Sequence, residues 1–63
     1  MCESAAFVKT LNGEKRIMEN VINLKVEPGK VHLVGLLGDE KTVNGEVEEI
    51  ILIDHKIIIK ENA

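Results

Sequence analysis

Sixty-three residues allow one domain at most, and 8 Lys and Arg against 11 Asp and Glu leave a formal net charge of -3. That balance argues against a phosphate backbone as partner, and one Phe with no Trp or Tyr removes the stacking platforms that hold single-stranded bases. Val, Ile and Leu make up a third of the chain, too much apolar side chain for a disordered segment.

Turn signals divide the chain into short β-branched runs. The first run, 4–11, ends at "LNGE" (11–14), where Asn-Gly suits a two-residue hairpin whose central residues both need positive φ. Runs at 14–18 and 21–27 follow; "RIMENVINL" (16–24) has room for one helical turn, which Asn20, Val21 and Ile22 disfavour. "EPGK" (27–30) sets Pro and Gly where a type II turn takes them. Further runs at 31–37, 41–43, 47–54 and 57–60 are separated by "LGDE", "VNGE" and "IDHK". The pattern predicts one all-β domain over residues 1–63. Its expected form is a meander closing into a small SH3-like, partly open β-barrel of about six or seven short antiparallel strands.

Alternation adds an expectation about burial. In 21–27, Ile22, Leu24 and Val26 share one face, with Asn23 and Lys25 on the other, so that strand has one wet side. "EIILID" (49–54) and "KIIIK" (56–60) are apolar on both faces, whereas a small barrel has only one inside. The second face is covered either by the first strand or by a second copy of the chain. The reading adopted is a homodimer, because an uncovered apolar edge invites aggregation. A partner also suits a domain that hides only about 60% of its unfolded surface.

Cys2 is the sole cysteine, so no internal disulfide forms. With no visible signal peptide and no apolar run long enough to span a membrane, the expected location is the cytoplasm. Three roles are open to the thiol. It can be a small buried hydrophobe, although chain ends are seldom buried. It can be a nucleophile, which needs a base held nearby, and only His32 and His55 could serve. It can be a metal ligand: with Met1 removed, amine and thiolate on adjacent carbons close a five-membered chelate ring. Two such pairs offer two nitrogens and two sulfurs to Ni(II) or Cu(II). His32 reads as a strand histidine and His55 as a solvated turn residue. One Cys and one His fall short of a structural zinc set. The neighbouring carboxylates Asp39-Glu40 and Glu48-Glu49 point apart and read as solubilising charge. Gly35, Gly38 and Gly45 match no phosphate-cradling pattern.

The "MC" start, together with "VEPGKVHLVGLLGDEKTVNGEVEEIILIDHKIIIKE" (26–61), resembles the CooT family of small nickel-binding proteins, accessory to nickel insertion into carbon monoxide dehydrogenase. The resemblance implies a β-barrel homodimer, not an enzyme, that holds Ni(II) at its dimer interface through the cysteine matching Cys2. A nickel enzyme is then the client. The alternative is an RNA-binding small β-barrel module, a label that related sequences have carried by fold analogy.

Overall fold

The computed structural model describes residues 4–62. They form β1 (Ser4–Thr10), β2 (Gly13–Glu27), β3 (Lys30–Gly35), β4 (Glu40–Val43), β5 (Gly45–Ile51) and β6 (Lys56–Glu61). The strands join in one curled sheet, ordered β4-β3-β2-β1-β6-β5. The described residues contain no helix. The all-β, partly open barrel expected from the sequence is therefore present.

Local chemistry accounts for most of the turns. Thr10 pairs with Gly13, so the first loop consists of Leu11 and Asn12. Only Gly13 takes positive φ, at 115°, and the Asn-Gly turn expected from the sequence moves back by one residue. The Thr10 hydroxyl fixes this frame: it donates to the Gly13 carbonyl (2.9 Å) and accepts from the Asn12 N–H (3.2 Å). The Pro28-Gly29 turn is where the sequence puts it, with Gly29 at φ 76°.

Runs 14–18 and 21–27 are a single bent strand rather than two. The first half of β2 pairs with β1 and the second with β3, and the registers shift on either side of the bend. Asn20 sits at the corner with φ 52°, a left-handed conformation that Asn tolerates better than most residues. The shift between Val21 and Asn23 also changes which side chains enter the core, because a one-residue slip exchanges the faces of a strand. Val21 is buried, whereas Ile22 and Val26 are mostly exposed and Leu24 half-buried. The expected 22/24/26 core face is thus corrected. Val26 does lie opposite the buried Val31, but past Val21 β1 no longer flanks β2.

Two runs end earlier than expected. β3 stops at Gly35, and Leu36 to Asp39 turn back through bonds from Gly38 N–H to Gly35 O (3.0 Å) and from Gly35 N–H to Asp39 O (2.7 Å). β5 stops at Ile51. Leu52 and Ile53 leave the strand for a turn in which His55 has φ 51° and donates from its N–H to Leu52 O (3.2 Å).

Closure depends on one residue. β4 and β5 are the opposite edges of the sheet, yet only Asn44 separates them, so the sheet must curl until its edges meet there. Asn62 secures this corner by donating from its backbone N–H to Asn44 O (2.9 Å) and from Nδ2 to Gly29 O (3.1 Å). The expected meander of antiparallel strands holds for four of the five pairings. β1 and β6 run parallel, with Phe7 opposite Ile58 and Val8 opposite Ile59. Apolar alternation carries no strand direction, so the sequence pattern could not report this.

The interior holds Ala6, Val8, Met18, Val21, Val31, Leu33, Val43, Ile57 and Ile59. The second apolar face of β6 is covered within the chain. Ile58 is buried beside its register partner Phe7, and the Lys56 ammonium lies 4.7 Å from the centre of the Phe7 ring.

Candidate functional site

Cys2 lies outside the described residues. What the structure does describe is the part of the barrel that the chain enters two residues later. The register sets Gly35 opposite Val21 and Val21 opposite Ser4. On the other side of β1 it sets Ala5 opposite Lys56 and Lys56 opposite Ile51. The 36–39 turn follows Gly35 and the 52–55 turn follows Ile51, so both belong to the end of the barrel where β1 begins. Backbone bonds tie them there, from Leu36 N–H to Asn20 O (2.9 Å) and from Ala5 N–H to His55 O (2.8 Å).

These two turns carry much of the exposed apolar surface of the chain. Leu37, Leu52 and Ile53 are 93%, 80% and 87% exposed, and Leu36 is more than half exposed. Such side chains gain nothing from solvent, and a rim of them is unusual for a surface with no partner. Beside the rim, Leu36, Leu37 and Asp39 form one wall of a shallow groove of about 410 Å³ whose other wall is Arg16 to Asn20 of β2. Sequence reading did not identify this rim, although apolar residues next to turn glycines, as in "GLLGDE", are the signal that could have done so.

The two histidines occupy different surroundings. His32 projects from β3 with both ring nitrogens engaged, Nδ1 2.9 Å from Thr42 Oγ1 and Nε2 2.8 Å from Glu40 Oε1. Since the carboxylate can only accept, Nε2–H donates to Glu40, and in the neutral ring Nδ1 accepts from the Thr42 hydroxyl. His55 is exposed in its turn, and its carbonyl holds the start of β1. Among the described residues, no group of three or more His, Cys, Asp or Glu side chains could hold a metal ion. Among the same residues, no helix is long and apolar enough to cross a membrane.

Comparison with known proteins gives a consistent result. Residues 1–60 match the family model for the CO dehydrogenase accessory protein CooT. An uncharacterized protein of Archaeoglobus fulgidus is 44% identical over 43 residues, which cover 68% of this chain and 96% of that protein. The fold matches the crystal structure of a chain assigned as CooT from Carboxydothermus hydrogenoformans, with a TM-score of 0.87 and 24% identity, over 98% of this chain and all of that one. That identity supports the fold alone, whereas the family match extends over nearly the whole sequence. The chain belongs to the CooT family of carbon monoxide dehydrogenase accessory proteins.

Proposed function

We propose that this protein carries Ni(II) as cargo in the cytoplasm for the maturation of carbon monoxide dehydrogenase, and that it acts as a homodimer without catalysing a reaction. The observation carrying this reading is the position of the lone thiol within a CooT sequence. In the sequence Cys2 lies two residues before β1, and β1 begins at the barrel end rimmed by Leu36, Leu37, Leu52 and Ile53. A thiolate is a soft donor that suits nickel together with nitrogen ligands. One thiolate and one nearby nitrogen supply half of a square plane, and a second copy supplies the rest. The apolar rim gives that second copy a surface to bury, worth roughly 25 cal/mol per Å² removed from water.

Nickel titration with sedimentation tests the reading. Saturation is expected near one metal per two chains, with thiolate-to-nickel charge-transfer absorption. Affinity should climb with pH until the thiol is fully ionised. Cys2→Ser should lose the absorption and the tight binding while keeping the melting profile. Undiminished nickel affinity in the Cys2→Ser protein would end the proposal. One metal per chain would preserve the thiol as ligand and eliminate the shared site.

A further inference from the structure

The sequence contains two Asn-Gly pairs, Asn12-Gly13 and Asn44-Gly45. In an Asn-Gly pair the glycine nitrogen can attack the asparagine side chain, because no Cβ shields it. We infer that Asn12 is a site of spontaneous deamidation in the folded protein and that Asn44 is protected. The Gly13 backbone nitrogen gives its proton to solvent and bonds to Asn12 Cγ. The Cγ–Nδ2 bond breaks and ammonia leaves, closing a succinimide. Water then opens one of the two ring carbonyl–nitrogen bonds, leaving aspartate or isoaspartate. Water is the only co-reactant and nothing is oxidised or reduced.

The difference between the two sites is conformational. Attack requires the Asn-Gly backbone to rotate out of its folded arrangement. Asn12 is exposed at a hairpin tip beside the fully exposed Leu11. Nothing lies within 4 Å of where a Gly13 Cβ would stand. Thr10 and Gly13 form the last pair of the β1–β2 ladder, and the Thr10 hydroxyl adds bonds to Asn12 N–H and Gly13 O. Asn44 is also exposed, but its backbone is fixed at the closure corner. Its carbonyl accepts from Asn62 N–H at 2.9 Å, Val43 and Gly45 on either side are buried, and Gly45 packs against the backbone of Lys60 and Glu61. Rotation at Asn44 would open the barrel, whereas rotation at Asn12 frays only the terminal pair of an exposed hairpin and the two bonds of the Thr10 hydroxyl. The new carboxylate at position 12 lines a groove it shares with Lys9, Glu48, Lys60 and Glu61. An isoaspartate lengthens the backbone inside a two-residue hairpin loop. The folded protein would therefore acquire a more acidic form with age.

The test is incubation at mildly alkaline pH, followed by isoelectric focusing and peptide mapping, in buffer and in a parallel sample unfolded by urea. In buffer, an acidic form should accumulate and map to Asn12, with Asn44 unchanged; in urea, both sites should react. Asn12→Gln should abolish the acidic form, and Thr10→Val should accelerate its appearance. Equal rates at the two sites in buffer, faster reaction at Asn44, or an intact Asn12 in buffer while the urea sample reacts would each overturn the inference. An unchanged rate in Thr10→Val would overturn the restraint assigned to that hydroxyl.

Discussion

Lys56 and Glu14 meet across β1 although their strands do not pair: Lys56 Nζ lies 2.6 Å from Glu14 Oε1. The ammonium also stands over the Phe7 ring, so one cation joins β6, β1 and β2 on the outer face. Both side chains are about a third exposed or less, which leaves the pair less screened than a fully solvated one. Lys56→Ala should cost about 1 kcal/mol from the ion pair and the ring contact together. A double-mutant cycle with Glu14→Ala, read by urea unfolding, should show coupling that weakens with added salt. Strictly additive single changes would mean that the contact contributes nothing.

Gly45 and Gly35 should respond differently to alanine. A Cβ on Gly45 would collide with the Lys60 carbonyl oxygen and stand 3.0 Å from Glu61 Cα, and backbone at the closure corner cannot yield. The nearest atoms to a Cβ on Gly35 belong to the Asp39 carboxylate, which can rotate away. Gly45→Ala should lose about 1–3 kcal/mol by overpacking and Gly35→Ala much less, as measured by thermal denaturation.

Asn20 tests the corner of β2. Its left-handed backbone costs most L residues about 1–2 kcal/mol. Asn20→Val should therefore destabilise the protein by an amount in that range, and Asn20→Gly should leave the melting temperature unchanged or raise it. The bond from Leu36 N–H reaches the Asn20 backbone carbonyl, so neither substitution removes it.

The rim can be disrupted without touching the core. Leu37→Glu combined with Ile53→Glu places charge on two side chains that are already solvent-exposed. Circular dichroism should be unchanged. Sedimentation should move from dimer to monomer, and nickel affinity should fall with it. A dimer that survives both substitutions would exclude the rim as the interface.

The histidines provide a control on the proposed nickel ligands. His32 is occupied by Thr42 and Glu40, so His32→Ala should leave nickel affinity within a few-fold of the parent while loosening β4. His55→Gly suits the positive φ of its site and should also retain binding. Loss of nickel binding in the His55 variant would add that residue to the ligand set.

Much of the strand plan was legible because turns depend on a few residues. Gly13, Gly29 and Gly38 all adopt the positive φ that only glycine takes without strain. What local pattern could not report is whatever depends on distant pairing. The parallel match of β1 with β6 and the corner at Asn44 follow from how the sheet closes, and hydrophobic alternation is blind to closure. The shift at Val21/Asn23 reassigned Ile22 from core to surface by inserting one unpaired residue. The thiol of Cys2 stood out in the sequence as a chemical singularity. The apolar rim at the end where β1 begins did not, because Leu36-Leu37 and Leu52-Ile53 are brought to one end only by the completed fold.

The parallel β1–β6 ladder also bears on the order of events in folding. It joins segments from near the two ends of the sequence, and Ile59, fully buried, sits opposite Val8. Contacts between such distant residues require a large loop to close before they contribute, which slows folding. The Ala6, Val8 and Met18 face of the β1–β2 hairpin stays uncovered until β6 docks against β1. A folding chain is thus open to misassociation until those two distant segments meet.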